Sequence, residues 1–284
     1  MRGFLEEKLD WDALYCFITH NGRVPIARRE LMLEWQGGIV KRNCAFDTLA
    51  EAHMFLEDCG AHPEQCWRKR GDYFTPMMFA DYDEWRAEML RQTPDALHVG
   101  GVYVDGRHGR GWERARDLVR SPLVVDLDVD ETNRNETVAC KCGTRKRCCD
   151  TCWEQWLLPR ARQLMHALCG VMGFTRVLPV YSGRRGLHVW VLDARVWRWT
   201  CAQRDRFMAW LLLQVPSGID AGASGKTNHM CKVPLYPHAE TRTVTVPLTL
   251  DTWDTFRPSH APNTHGVTPE QMRAYGDIVK SACV

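Results

Sequence analysis

No stretch of this 284-residue sequence approaches the ~18 consecutive apolar residues that a membrane-spanning helix needs. The best apolar runs, around Phe207–Val215 and Leu164–Phe174, are short. Met1–Asp10 carries three acids and no apolar leader segment, so no signal peptide is expected. An excess of one charge is also lacking: 37 Lys+Arg face 35 Asp+Glu, a formal net charge of +2. That excludes a histone-like coat of charge but leaves room for a basic groove offset by acids elsewhere. With 45% hydrophobic and 25% charged residues, the composition is that of a globular protein, neither a disordered tail nor a coiled coil. No Gly/Ser- or Pro-rich linker divides the chain, which favours one large domain or two closely packed ones. The twelve tryptophans follow no fixed period, so there is no internal repeat.

Cysteine, by contrast, is plentiful. There are thirteen, and five of them fall between Cys140 and Cys152. A secreted disulfide scaffold is usually much shorter and carries a signal peptide, so the cluster reads as a metal site in a reducing, intracellular compartment. The scattered cysteines read as small buried hydrophobes.

Patterning predicts the elements coarsely. Asp47–Gly60 reads as a helix with an N-cap aspartate and a terminating glycine. Leu97–Val104 and Leu123–Val129 read as strands. Trp153–Met172 reads as a long amphipathic helix with Pro159 in its first turns. Val177–Tyr181 and Leu187–Leu192 flank a Gly-Arg-Arg-Gly turn, which suggests a hairpin. Thr200–Val215 reads as a helix and Thr243–Leu250 as a strand broken by Pro247. Thr268-Pro269-Glu270-Gln271 opens a last helix with a capping box. Helices and strands interleave without the strict alternation of a doubly wound fold, so a mixed-sheet α/β protein is expected.

Four local features carry chemistry. In Pro122-Leu-Val-Val-Asp126-Leu-Asp128-Val-Asp130, strand alternation places the three aspartates on one face. Their mutual repulsion calls for counter-charge, and Mg²⁺ or Mn²⁺ supplies it naturally. The plain alternative is a strand end running into a solvated acidic turn. In Tyr181-Ser182-Gly183-Arg184-Arg185-Gly186-Leu187-His188, two glycines allow a sharp turn and two guanidinium forks match phosphate oxygens. The alternative there is a hairpin turn with exposed arginines. From Asp220 to His238, Lys226, His229, Lys232 and His238 are spread over a Gly-rich, loop-like stretch. Gly225-Lys226-Thr227 lacks the upstream glycine of a Walker loop and is discounted. Last, Cys140, Cys142, Cys148, Cys149 and Cys152 have the spacing of a small knuckle around tetrahedral, structural Zn²⁺. Four thiolates suffice. Cys140, Cys142, Cys149 and Cys152 are taken as the ligands, with Cys148 as the substitute. Arg145, Lys146 and Arg147 crown the knuckle and could touch nucleic-acid backbone.

Taken in order, these features resemble the catalytic (small) subunit of the archaeo-eukaryotic DNA primases. Val125-Asp126-Leu127-Asp128 matches the family's paired catalytic aspartates, and the cysteine cluster with Trp153 follows as the family's zinc knuckle does. Tyr181–Val191 is close to the signature turn. Asp220, Asn228-His229, Lys232, Pro234 and His238 fall where the third aspartate and the downstream phosphate-binding residues belong. Arg29-Glu30 and Arg42–Phe46 resemble the Arg-Glu…Arg…Phe block, and Leu97–Tyr103 the strand before the metal site. His98 stands where a smaller polar or acidic residue is expected. Cys140 and Cys142, separated by Lys141, depart from the family's adjacent pair. The resemblance spans residues 25–250, and the short stretch between Arg195 and Asp220 points to a compact core, viral or otherwise minimised.

The resemblance implies an α+β primase fold: an RRM-like catalytic half, an N-terminal α/β half, a zinc knuckle at 138–153 and a C-terminal helix near 268–280, all in one domain over 1–284. It implies synthesis of short RNA primers on single-stranded DNA by two-metal-ion nucleotidyl transfer from NTPs. Asp126, Asp128 and Asp220 would hold two Mg²⁺ or Mn²⁺. Ser182, Arg184, Arg185, His188, Lys232 and His238 would bind the nucleotide, with Arg42 and Glu30 in the same pocket. The implied partners are a single-stranded DNA template, NTPs, and a primase large subunit or a replicative helicase or polymerase, with no membrane. The implied location is a nucleus or a viral replication site. Two rivals are a primase-superfamily repair or translesion polymerase that extends existing primers, and a non-catalytic zinc-containing nucleic-acid adaptor.

Overall fold

The computed structural model describes residues 1–36, 39–42, 72–74, 79–103, 118–129, 148–227 and 229–284. The helix expected at 47–60 lies outside these residues, as do Phe46, Asp130, Cys140, Cys142, Arg145–Arg147 and Asn228.

Two short helices open the chain, α1 (Arg2–Glu7) and α2 (Trp11–Thr19). The first sheet is centred on β1 (Arg29–Trp35), which pairs antiparallel with β2 (Ile39–Arg42). β2 in turn pairs in parallel with β3 (Asp72–Phe74). After α3 (Tyr82–Gln92), β4 (Ala96–Tyr103) returns antiparallel to β1. On its other edge β4 receives β5 (Leu118–Arg120) at the Val102–Tyr103 end, and further along that edge a short strand from much later in the chain at His98–Val99.

β5 leads directly into β6 (Leu123–Asp128), so the chain changes sheets at Ser121-Pro122. A continuous helical run follows: α4 (Asp150–Cys152), a π-helical stretch Trp153–Leu157, α5 (Leu158–Met165) and a second π-helical stretch His166–Val171. The run matches the long helix expected from the pattern, with one difference. The Leu158 N–H reaches back to Trp153 O, so the helix is widened just before Pro159, whose ring would crowd a regular turn. The hairpin β7 (Val177–Tyr181) and β8 (Gly186–Val191) pairs on β6. α6 (Cys201–Gln214) and the last helix both start with complete capping boxes, from Thr200/Gln203 and Thr268/Gln271. The late strand on β4 is β9 (Cys231–Lys232). β10 (Val246–Pro247), α7 (Leu250–Trp253) and α8 (Pro269–Cys283) complete the chain.

The second sheet therefore has the order β10-β7-β8-β6. Only Val246-Pro247 of the strand expected at 243–250 joins it. The strand ends at Pro247, which β10 accommodates as an edge strand that needs no N–H there. The architecture is mixed α/β with mainly antiparallel pairing.

The hairpin is buried on both faces, which explains its nearly unbroken apolar sequence. Tyr181, Leu187, Val189 and Val191 pack with β6, the long helical run and α6. Leu178, Val180 and Trp190 pack with α1, α2, β1, β4 and α8. At ~1.5–3 kcal/mol for each large apolar side chain buried, this two-sided packing fixes the register of β6 against β8.

Candidate active site

β6 alternates as expected: Leu123, Val125 and Leu127 are buried, while Val124, Asp126 and Asp128 are half-buried on the other face. The ladder to β8 sets Asp126 opposite His188 and Asp128 opposite Gly186. Gly186 has a steric reason to be glycine, since a Cβ there would collide with the backbone carbonyl oxygen of Leu127. Gly183 has a conformational one: its φ is +77°, and a Cβ would lie 2.8 Å from Thr243 O.

On the other side of β6 the segment 218–225 runs along the strand as an irregular extension of the sheet. The Asp128 N–H donates to Gly218 O at 2.9 Å, the Asp220 N–H to Asp126 O at 2.9 Å, and the Gly225 N–H to Val124 O at 2.9 Å. The Asp126 N–H donates to Ser224 Oγ at 2.8 Å. This zipper brings Asp220, remote in sequence, beside Asp126. The Asp220 Oδ1 accepts from Gly222 N–H at 2.8 Å and Ala223 N–H at 3.2 Å, which holds the carboxylate in place.

Three carboxylates are thus gathered. Burial first, then the charges of Asp128 and Asp220, push the Asp126 carboxyl up to about 7. Asp128 is balanced by Arg185, whose Nη2 donates to Asp128 Oδ2 at 2.8 Å.

A cleft of about 130 Å³ is lined by Asp126, Asp128, Ser182, Arg184, Arg185, His188, Lys232 and His238. The Ser182 Oγ accepts from Gly186 N–H at 3.2 Å and Arg184 N–H at 3.4 Å, leaving its own proton to donate. The Arg184 carbonyl is held by Tyr181 Oη at 3.1 Å and by the Cys148 N–H at 2.7 Å. The Arg184 guanidinium pairs with Glu240 at 3.0 Å. His188 Nε2 lies 4.0 Å from Asp126 Oδ1. The His238 Nδ1 accepts from Glu240 N–H at 3.2 Å, so its proton resides on Nε2. Burial first, then Lys232, holds both His188 and His238 down to about 3. At neutral pH both rings are uncharged donors, and the cations of the cleft are Arg184, Arg185 and Lys232.

Glu30 is not among the residues that line this cleft. Glu30 is buried between β1 and β4, accepting from Gly101 N–H and Tyr103 Oη at 3.3 Å each. Arg42 sits on β2 opposite Met32, in the same cross-strand row as His98 and Lys232. Sequence reading missed a pair that joins that row to Glu34, two residues along β1. His98 Nε2 meets Glu34 Oε2 at 2.7 Å, and His98 lies opposite Lys232 on the antiparallel partner. The available signal was the alternation of Met32 and Glu34 along one strand face.

The donor chemistry suits a hard divalent cation: carboxylate oxygens drawn together at a cost, with one of them already taking a positive partner. Among the described residues, no group of three or more His, Cys, Asp or Glu side chains stands in ready metal-ligating geometry. Of the cysteine cluster, Cys148 and Cys152 are buried and Cys149 is half-buried. The Cys149 Sγ caps α4 by accepting the Cys152 N–H at 3.4 Å. Burial, then Cys152 and Cys149, raise the Cys148 thiol. No helix among the described residues is long and apolar enough to cross a membrane.

Comparison with known proteins supplies an independent finding. The family model described as DNA primase small subunit matches residues 125–214, from the aspartate strand through α6. The DNA primase small subunit of Schizosaccharomyces pombe is 29% identical over 74% of this chain and 45% of its own length. That of Saccharomyces cerevisiae is 27% identical over 48% of this chain and 32% of its own. The chain thus matches less than half the length of these relatives. Among solved structures, the polymerase domain of Mycobacterium tuberculosis ligase D in complex with DNA aligns over 95% of this chain and 88% of its own, at 15% identity and a TM-score of 0.44.

Proposed function

We propose that this chain, which belongs to the archaeo-eukaryotic primase small-subunit family, is the catalytic core of a DNA primase that joins ribonucleotides on a single-stranded DNA template. The observation that carries the reading is the convergence of Asp126, Asp128 and Asp220, three acids from two distant segments, beside one arginine turn. An isolated acidic turn would face solvent and would not be zipped to a second acid.

Asp126, Asp128 and Asp220 would hold two Mg²⁺ or Mn²⁺. When bound, such ions lower the pKa of an attacking 3′-hydroxyl and stabilise charge on the phosphate oxygens. The side chains of the cleft then have separate tasks. Arg184, Arg185 and Lys232 offset the charge of a triphosphate, and the two guanidinium forks orient it by paired contacts. Arg185 is the counter-charge of Asp128 in the free protein, so it becomes available to phosphate once Asp128 is neutralised otherwise. His188 and His238, being neutral, donate hydrogen bonds without adding charge, as does Ser182. Arg42 and Glu30 would belong to the same nucleotide pocket.

Around the cleft, the same reading takes residues 1–284 as one primase domain with the primase fold. It takes the segment around Cys140, Cys142, Cys149 and Cys152 as a structural zinc knuckle, with Cys148 as substitute ligand. A large subunit, and a nuclear or viral replication site, are the matching partner and location. The test is primer synthesis by the purified chain on single-stranded DNA with labelled NTPs and Mn²⁺, beside its Asp128→Ala variant. Products from the wild type alone support the reading. Extension of existing primers without initiation, or no Mn²⁺-dependent transfer, overturns it.

A further inference from the structure

A second and larger cavity, of about 300 Å³, opens at the other end of the β6–β8 ladder. Its walls include His20, Arg23, Arg120, Arg176, Trp197 and Arg198. No aspartate or glutamate is among the described residues that line it.

Three observations describe its chemistry. First, two of the four guanidinium groups lack a partner among the described residues. Arg176 Nη1 and Arg23 Nη2 donate to the main-chain oxygen of Val284 at 3.0 and 3.5 Å. Arg120 and Arg198 have no side-chain hydrogen bond or carboxylate partner among the described residues. Second, two buried ring nitrogens on the lining, His20 Nε2 and Trp197 Nε1, have no hydrogen-bond partner among the described residues. His20 is 6% exposed, sits at the left-handed C-cap of α2 and meets the Trp197 ring edge-on at 3.5 Å between centroids. Third, burial, then the positive charges of Arg29, Arg176, Arg23 and Arg120, hold His20 well below its ordinary value. The strongest charges acting on it are thus all of one sign. Four guanidinium groups around one void, two of them without a partner among the described residues, offer an anion both charge and hydrogen-bond donors.

We infer that this cavity is a second anion site, built for a phosphate-bearing ligand. Arginine forks match phosphate oxygens, the void holds more than a carboxylate, and Trp197 offers an aromatic wall. A phosphate of a nucleic-acid strand and a phosphate of a free nucleotide share this chemistry. The site does not rest on the nucleotidyl-transfer reading of the other cleft.

The test is calorimetric titration of the full chain with pyrophosphate, in wild type, in Arg185→Ala, and in Arg120→Ala/Arg198→Ala made alone and in the Arg185→Ala background. Arg185→Ala should leave one pyrophosphate site intact, and adding the pocket substitutions should weaken it by ten-fold or more. Arg198→Glu, at an exposed position where folding is not at stake, should reproduce the loss by itself. Titration with ATP and with a short 5′-phosphorylated deoxyoligonucleotide then assigns the source. A pocket-dependent loss for ATP points to free nucleotide, and a loss for the oligonucleotide alone points to strand phosphate. Pyrophosphate binding that the pocket variants leave unchanged, or no binding in the Arg185→Ala protein, overturns the inference. A failed cleft reading shows separately, as an Arg185→Ala protein with all of its wild-type pyrophosphate binding and an unchanged response to the pocket substitutions.

Discussion

Arg185 and Asp128, fifty-seven residues apart in sequence, form an ion pair of 2.8 Å across the floor of the cleft. Each balances charge on the other, so removing either takes a counter-charge from its half-buried partner. This reciprocity shapes the first two predictions.

Asp126→Ala and Asp128→Ala should each lower nucleotide transfer by about 10²-fold or more, the scale of losing a group that stabilises developing charge. In Asp126→Ala the folded state should survive, because Asp126 is held at a cost by burial and by its acidic neighbours. A transfer assay beside a thermal melt checks both halves. Near-normal transfer in either variant defeats the two-metal reading.

Arg185→Ala should raise the apparent KM for NTP by ~10-fold or more, since a fork contributes two charge-assisted hydrogen bonds of ~1.5–3 kcal/mol when shielded. Arg185→Lys should restore little, because an ammonium keeps the charge and loses the paired geometry. Direct NTP binding and single-stranded DNA binding, measured separately, tell a triphosphate contact from a template contact.

The Glu34–His98 pair predicts a pH dependence of stability. Burial lowers His98 to about 4, so the folded protein prefers the neutral ring. Its contribution is whole above an unfolded value near 6.5 and is lost as pH falls toward 4. Glu34, lowered to about 2 first by its bond to His98, contributes above about 4.5 and loses this below it, towards 2. Both effects weaken the protein in acid. His98→Gln should flatten the stability curve between pH 6.5 and 4 by up to ~3 kcal/mol, from 1.36 kcal/mol per unit. Denaturant titrations at several pH values read this, and an unchanged slope would count against the pair.

Gly186→Ala should destabilise the protein by ~1–3 kcal/mol or more, since the added methyl meets the Leu127 carbonyl oxygen and neither strand can yield without breaking the ladder. The same shift moves Asp128, so transfer should fall with it. A variant as stable as wild type would mean the β6–β8 approach is looser than described.

Purified protein should carry about one tightly held Zn²⁺ per chain, measurable by elemental analysis. Cys152→Ser should lower zinc content and thermal stability more than it lowers the turnover of the remaining folded protein. Full stability in a zinc-free preparation contradicts the knuckle.

How much of this was legible beforehand depends on the range of the interaction that decides it. Strand alternation at Asp126 and Asp128, the capping boxes at Thr200 and Thr268, and the glycine turn at Gly183–Gly186 depend on backbone geometry within a few residues. The sequence alone therefore determined them, and their order determined the family resemblance. The tertiary structure decided what lies opposite what. Asp220 reaches Asp126 only through the hydrogen bonds of 218–225 along β6. Lys232 enters the row of His98 only because β9 pairs on β4. Arg185 turns to Asp128 because two-sided packing of the hairpin fixes its register. Glu34 and His98, and the arginines of the second cavity, come from segments with no common local pattern, and only long-range packing brings their charges into one dielectric environment.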